Sequence, residues 1–328
     1  MTARRRLEFG IYPLSPAGTP EGLAVGPPDD FDRIRATLHD LGRSLVSRTY
    51  LVDTSAGGEA AVLALADRYR DAGLLGHAVL GCMRDTGFEL DRWVELVRTV
   101  VRTYGDTLSS LQITNEPNLS FMDGAKPYTL DALVHGVVAA KDTVRELGLS
   151  VAVGFGSVPQ SDIAVPRFWT DLAAIGGSEF VEAVDFVGHN FYVDVFEESV
   201  DLADIPARVE QVLRGLRFRD LTAAGIPAAV PIRVTENGWP TGTNPFTNAP
   251  RTGERQADVL DAVIRTIHRL ADETNVTHYM LFGLRDADSS KPDLFHQFGI
   301  VRDDYSPKPA YWTYKALIDE LGEGPMRR

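Results

Sequence analysis

The chain has one cysteine, Cys82, in 328 residues. That excludes an internal disulfide framework and suits a reducing compartment. Long apolar runs are also missing, and no stretch approaches the roughly 18 to 20 apolar residues of a membrane helix. The basic N-terminus, Met1 to Arg6, passes directly into Leu7-Glu8-Phe9-Gly10 without the apolar core of a leader. A cytoplasmic protein without a membrane partner is therefore expected. Positive charge is in deficit: 33 Lys and Arg face 46 Asp and Glu, a formal net charge of −13. Nucleic acid binding needs a basic surface and is not expected, whereas a neutral carbohydrate would not be repelled. The seven histidines are scattered, with no ligand-spaced pair among them or with Cys82, so no metal is expected. No cofactor is expected either. Gly154-Phe155-Gly156 has Pro159 where the third glycine of a dinucleotide fingerprint should fall, and there is no phosphate loop.

What is present is a regular alternation. The chain is 44% hydrophobic and 24% charged, enough to bury a large core. Short β-type runs are predicted at 7–12, 45–52, 76–81, 110–114, 150–154, 184–189, 231–235 and 277–283. Between them apolar residues recur at three- and four-residue steps. Examples are Trp93, Leu96, Val97, Val100, Val101 and Tyr104; Val259, Val263, Ile267 and Leu270; and Tyr314, Leu317, Ile318 and Leu321. Helix-stop glycines follow at Gly42, Gly73, Gly105, Gly148 and Gly225. Eight β/α units without a composition break predict an α/β protein, a (β/α)8 or TIM barrel in a single domain over 1–328. A doubly wound open sheet uses the same units and is the main alternative. The longer connections, 13–28, 193–205, 239–253 and 286–308, all follow strands. That is the face where barrel active sites lie.

Two stretches stand out at strand ends: Ile113-Thr114-Asn115-Glu116-Pro117 after strand 4, and Arg233-Val234-Thr235-Glu236-Asn237-Gly238-Trp239-Pro240 at strand 7. In a closed barrel both ends project over one mouth. Two facing carboxylates, one protonated and one ionised, are the equipment for glycoside hydrolysis, and mutual repulsion separates their pKa values. Asn115 could donate to the sugar hydroxyl beside the reacting carbon. His189 and Tyr192 bring an imidazole and a phenol to the rim from strand 6. Arg48, on strand 2, could hold a carboxylate ionised. Trp239 offers an apolar face for a sugar ring. Each motif also has a structural reading: Asn-Glu-Pro and Asn-Gly are common turn sequences, Arg48 could sit in a structural ion pair, and His189 could be a satisfied rim histidine. Trp93, Trp169 and Trp312 lie on helical patterns and are expected to pack. Cys82 is expected to be buried near the end of strand 3.

These motifs resemble the clan A glycoside hydrolases, (β/α)8 barrels that act with retention. The resemblance spans nearly the whole chain. It implies Glu116 as general acid/base, Glu236 as nucleophile, Asn115 as a sugar ligand, His189 and Tyr192 as lining residues, and Arg48 as a neighbour of the nucleophile. Leu284-Arg285-Asp286-Ala287-Asp288, Phe298-Gly299-Ile300-Val301 and Pro307-Lys308-Pro309-Ala310-Tyr311 are similar to the strand-8 region of several members. Thr-Glu-Asn-Gly is similar to family 1 and Glu-x-Gly-Trp-Pro to family 17, while the short barrel looks more like families 5 or 39. Many members place a tryptophan at the end of strand 8. This chain has Tyr279-Met280-Leu281-Phe282, and Phe282 is the aromatic that could replace it. The expectation is a retaining β-glycosidase acting on a β-linked oligosaccharide, glucan or glycoside. Two rivals remain: a carbohydrate-binding protein on the same scaffold without catalysis, and metal-assisted proton abstraction using Asp85, Asp194 or Asp286.

Overall fold

The computed structural model describes residues 5–19, 22–245 and 247–323. Part of the basic N-terminus and short pieces of the expected 13–28 and 239–253 connections lie outside that range. Eight parallel strands form a closed barrel: β1 (Glu8–Ile11), β2 (Val46–Asp53), β3 (His77–Cys82), β4 (Ser110–Ile113), β5 (Ala152–Phe155), β6 (Phe186–Asn190), β7 (Ile232–Asn237) and β8 (Val276–Leu281). The ring closes where β1 pairs with β8, Glu8 opposite His278 and Ile11 opposite Leu281. Every residue of β3, β4 and β6 is buried. A parallel strand covered on both faces has no solvent-facing side, so the polar residues these strands carry, His77, Ser110, Gln112, His189 and Asn190, are buried too.

Eight main helices follow the strands: α1 (Phe31–Leu41), α2 (Gly58–Asp71), α3 (Leu90–Tyr104), α4 (Thr129–Glu146), α5 (Phe168–Ala183), α6 (Ile205–Gly215), α7 (Gly253–Thr274) and α8 (Pro309–Leu321). A π turn, Leu216–Asp220, and a short helix, Leu221–Ala223, extend α6. Local chemistry sets the starts. Asp30 accepts from the N–H groups of Asp32 and Arg33 at α1, Thr252 caps α7 by accepting from Arg255, and Pro309 opens α8. The six predicted face residues of α3 are all buried, each contributing on the order of 1.5 to 3 kcal/mol when large and apolar. One expectation needs correction. Trp312 is 58% exposed, because it lies one step, about 100°, off the α8 face formed by Tyr311, Tyr314 and Leu317. The five helix-stop glycines all lie at helix ends, Gly42 and Gly105 as the C-caps of α1 and α3, and Gly73, Gly148 and Gly225 with positive φ one residue past a C-cap.

The chain divides into two compact units. One comprises Met1–Ser47, Phe191–Leu213 and Val234–Arg328; the other comprises Arg48–Asn190 and Arg214–Arg233. The first holds β1, β8 and the Glu236 end of β7. The second holds β3 to β6 and the Glu116 turn. No helix among the described residues is long and apolar enough to cross a membrane.

Candidate active site

In the Arg48–Asn190 unit the chain turns sharply after β4. Thr114 sits at φ 61°, a left-handed conformation that is costly for a β-branched residue. Its hydroxyl donates to the Ile113 carbonyl. The turn is then clamped from below: Asp123 Oδ2 accepts from the N–H of Asn115 at 2.6 Å and of Glu116 at 3.3 Å. Asp123 is itself buried, and its carbonyl accepts from the Thr129 hydroxyl at the start of α4. Asn118 locks the far side by exchanging two hydrogen bonds with the Val158 backbone, both 2.8 Å. Gly156 is required beside this turn, since a Cβ there would lie 1.9 Å from the Asn115 carbonyl oxygen.

This clamp presents the Glu116 carboxylate, 8% exposed, to Asn190. The Asn190 amide donates to Glu116 Oε1 and to Asn115 Oδ1, each at 3.1 Å. Arg48 is fully buried and donates to Asn115 Oδ1 at 3.0 Å, Gln112 Oε1 at 3.1 Å and His77 Nε2 at 2.8 Å. An arginine only donates, so His77 Nε2 accepts and the His77 proton sits on Nδ1, facing Ser110 Oγ at 2.7 Å. Arg48 thus belongs to a polar network that orients Asn115.

His189 also lies inside. It is fully buried, and burial pushes its pKa down to about 3. Ser157 spends its hydroxyl proton on the Gly188 carbonyl, so His189 Nδ1–H donates to Ser157 Oγ at 2.8 Å. The ring is neutral and braces β6 from within, whereas its neighbour Asn190 reaches the carboxylate. Strand alternation separates the two side chains. The expected rim histidine is therefore an interior one.

The other unit builds the surroundings of Glu236. Its carboxylate is 7% exposed, and Oε2 accepts from the Tyr192 hydroxyl at 2.9 Å. Asn237 is a knot: its amide donates to the Phe191 carbonyl, its Oδ1 accepts from Tyr279, and its own carbonyl accepts from the Phe282 N–H. Burial holds the Tyr279 phenol well above its usual pKa, so it remains a donor. Gly238 follows because a Cβ there would lie 1.8 Å from the Phe282 carbonyl oxygen. The Thr-Glu-Asn-Gly string therefore has a steric and hydrogen-bonding cause at each of its last three positions.

Trp239 takes a different place from the one expected. It is 5% exposed, its indole N–H donates to Asp194, and the Arg251 guanidinium lies 5.1 Å from its ring centre. So buried, it is wall and leaves little ring for a sugar. The available aromatic surface comes from other residues. Phe282 is half-buried and stacks on Tyr12 with ring centres 5.0 Å apart and planes 3° apart. Tyr192 meets Phe282, Phe298 and Phe196 edge to face, and Phe196 is 49% exposed. Phe295 lies 6.1 Å from Phe196.

The strand-8 motif proves to be a buried tie. Lys308 pairs with Asp286 at 2.7 Å and donates to Thr241, while Asp286 also accepts from Gly299 N–H and Ser289. Burial raises the Asp286 pKa and lowers that of Lys308, each against the pull of its partner. Asp194 is likewise committed to Arg255 and Trp239, and Asp85 to Lys126. Among the described residues no three His, Cys, Asp or Glu side chains gather as metal ligands would. Cys82 is buried, and burial together with Asp53 pushes its thiol up to about 12.

Sequence reasoning missed Asn190 and Asp123. Asn190 lies between His189 and Tyr192, both singled out in the sequence, and alternation along β6 is the signal for choosing it over its neighbour. Nothing at Asp123, in Met122-Asp123-Gly124, announces a contact seven residues back.

No protein-family model and no curated protein matches the sequence. Solved structures do match. A β-1,3-glucanosyltransferase from Rhizomucor miehei, in complex with laminaritriose, has a TM-score of 0.54 at 14% identity, covering 92% of this chain and 96% of that one. A family 1 β-glucosidase from Thermotoga maritima has 0.56 at 16%, covering 90% and 88%. A family 2 β-galacturonidase from Eisenbergiella tayi has 0.58 at 15%, where 98% of this chain spans about half, 52%, of the other. At these identities the likeness is one of fold: this chain is a (β/α)8 barrel similar to those of glycoside-processing enzymes.

Proposed function

We propose that the protein is a retaining β-glycosidase with Glu236 as nucleophile and Glu116 as general acid/base. The observation that carries this reading is the treatment of the two carboxylates. Each is buried at the C-terminal end of a barrel strand, and each accepts a hydrogen bond on one oxygen from a neutral donor, Glu116 from Asn190 and Glu236 from Tyr192. Tyr192 on Oε2 of Glu236 would steady negative charge on the carboxylate that attacks the anomeric carbon. Asn190 on Oε1 of Glu116 would orient the carboxyl that carries the proton. In the first step Glu236 bonds to the anomeric carbon as the glycosidic C–O bond breaks, and Glu116 gives its proton to the leaving oxygen. In the second step Glu116 takes a proton from water. The oxygen of that water bonds to the anomeric carbon, and the Glu236 ester is released. Asn115, oriented by Arg48 and Asn190, would serve the neighbouring sugar hydroxyl. Phe282, Tyr192 and Phe196 would serve ring faces.

The names borne by the fold neighbours, a β-glucosidase, a β-1,3-glucanosyltransferase and a β-galacturonidase among them, support a β-linked sugar as substrate. The acidic net charge of −13 disfavours anionic partners and so favours a neutral one. Membership of clan A and action in the cytoplasm belong to the same proposal.

The test is hydrolysis of a panel of aryl β-glycosides by the wild type, Glu116→Ala and Glu236→Ala, with azide added to each variant. Loss in both variants is expected. Azide should yield a β-glycosyl azide from Glu116→Ala and an α-glycosyl azide from Glu236→Ala. Full activity of Glu236→Ala without azide would end the reading. A wild type that binds these sugars without cleaving them would favour the binding protein instead.

A further inference from the structure

The aromatic surface beside Glu236 continues outward past Tyr192. Tyr192, whose hydroxyl reaches the carboxylate, has the Phe196 ring centre 5.5 Å from its own. Phe295 follows, 6.1 Å from Phe196 and tilted to it by 32°. Phe196 is 49% exposed and Phe295 is half-buried. Phe282 and Phe295 both pack against the small buried side chains of Ala17, Ala24 and Ala287. Ala17 and Ala24 are opposite one another in an antiparallel ribbon, Ala17–Thr19 with Gly22–Ala24, so the ribbon backs these rings. All of these residues belong to the unit that holds Glu236. We propose that Phe196 and Phe295 receive the leaving group, and that the substrate is a β-glycoside with an apolar aglycone, an aryl or alkyl group and not a second sugar. The inference rests on the catalytic reading above and narrows its substrate class.

The chemistry of this ledge carries the argument. A sugar ring bears hydroxyls around its edge, and each one that leaves water needs a donor or an acceptor in return. Phenylalanine offers neither. The polar side chains beside the two rings are tied up within their own loops. Gln297 donates to the Ser289 and Lys291 carbonyls and accepts from Thr241. His296 faces Asp293, and Glu197 accepts from the Asp194 N–H. An apolar group needs only the rings, and leaving water favours its binding. A reacting sugar can have a neighbour on either side, and only the one across the breaking bond need not be a sugar. An apolar ledge joined to the nucleophile through Tyr192 therefore suits the leaving group. The charged residues of the same loops, Glu197, Glu198, Asp288 and Asp293 against Lys291, disfavour an anionic aglycone.

The experiment measures kcat/KM of the intact protein for methyl, butyl and hexyl β-glycosides of glucose, galactose, mannose and xylose, below their micelle concentrations. The β-1,3- and β-1,4-linked disaccharides of the preferred sugar are run beside them. The three alcohols are close in acidity, so the slope along the series reads apolar contact and not leaving-group chemistry. For the preferred sugar kcat/KM should rise about two- to fourfold per methylene, and the hexyl glycoside should exceed both disaccharides by roughly tenfold or more. Phe196→Ala and Phe295→Ala should each cut the hexyl-to-methyl ratio by roughly fivefold or more, whereas Phe295→Leu should keep it within about twofold. Because the ratio is taken within one variant, a general loss of activity does not imitate the effect, and either alanine variant suffices if the other fails to fold. A flat series, disaccharides cleaved faster than the hexyl glycoside, or a ratio unchanged in both alanine variants would overturn the proposal while the catalytic reading stands. If the wild type cleaves none of these compounds, calorimetric binding of the same series decides. Affinity that rises with chain length, and loses that rise in the alanine variants, would sustain the ledge with the catalytic reading alone lost. Affinity that ignores chain length would overturn the ledge as well.

Discussion

Glu116 and Glu236 are held by opposite means. Glu116 lies past the end of its strand, on a turn clamped by the Asp123 carboxylate, and its neighbours are polar: Asn115, Asn190, Arg48, Gln112 and His77. Glu236 lies within its strand, needs no clamp, and meets a phenol set in a wall of rings. The difference suits two jobs. A group that gains and loses a proton each cycle is served by a hydrogen-bonded surround that can answer either state. A nucleophile is served by fixed geometry, which a strand and close-packed aromatics provide.

The largest test of this contrast is chemical. Glu236→Ala should lower kcat/KM by about 10⁴-fold for every substrate, while Glu116→Ala should lose about 10² to 10⁴-fold only where the leaving group needs a proton. Steady-state rates with 2,4-dinitrophenyl and alkyl glycosides check this, and equal losses for both leaving groups in Glu116→Ala would erase the distinction.

Acid and alkali should next separate the two surrounds. His189 is neutral in the fold down to about pH 3, whereas an unfolded histidine takes up its proton near 6.5. Between those values the unfolded state binds more protons, so stability falls as pH drops from about 6.5 toward 3, by a few kcal/mol in total. Denaturant titrations at pH 7, 5.5 and 4.5 should show a shallower slope for His189→Asn, which keeps a donor for Ser157 but does not titrate in this range. On the aromatic side burial raises Tyr279 and Tyr314 well above 10, so the stability they contribute is lost as pH rises past 10.

Smaller effects follow from the hydrogen bonds. Tyr192→Phe removes a bond to a charged oxygen, about 1.5 to 3 kcal/mol, and should cost roughly 10- to 100-fold in kcat with little change in KM. Asn190→Ala should cost less and move the acidic or basic limb of the pH–rate profile, which Tyr192→Phe should not do. The smallest change is expected for Asp123→Asn. Its amide oxygen still accepts from Asn115 and Glu116 without the charge, so a loss of roughly tenfold or less in kcat is expected. Asp123→Ala should exceed it. Identical kinetics in the two would show that the clamp does not position Glu116.

The barrel was legible because short β-type runs alternate regularly with amphipathic helical patterns along the whole chain, and each predicted strand lies within two residues of an observed one at either end. The placement of the two glutamates at strand ends was legible because Pro117 and Asn237-Gly238 follow them directly. Trp239 was misread because an indole after a strand end looks the same whether open or buried. What decides is Asp194, 45 residues away in sequence. Asp123 was invisible for a related reason: its contact is made by backbone N–H groups, which every residue has. Phe196 and Phe295 come from loops without periodicity, so nothing in the sequence aligned them with Tyr192.

Tyr192 gives its hydroxyl to Glu236 while its ring edges meet Phe282, Phe298 and Phe196. The surface that would feel a sugar and the atom that would attack it are thus one mechanical part. A ligand that fits the rings badly would tilt the phenol and, through it, the carboxylate. If the proposed catalysis holds, substrates would be sorted by speed more than by grip, and selectivity would be sought in turnover of poor substrates at saturation, not in how tightly they bind.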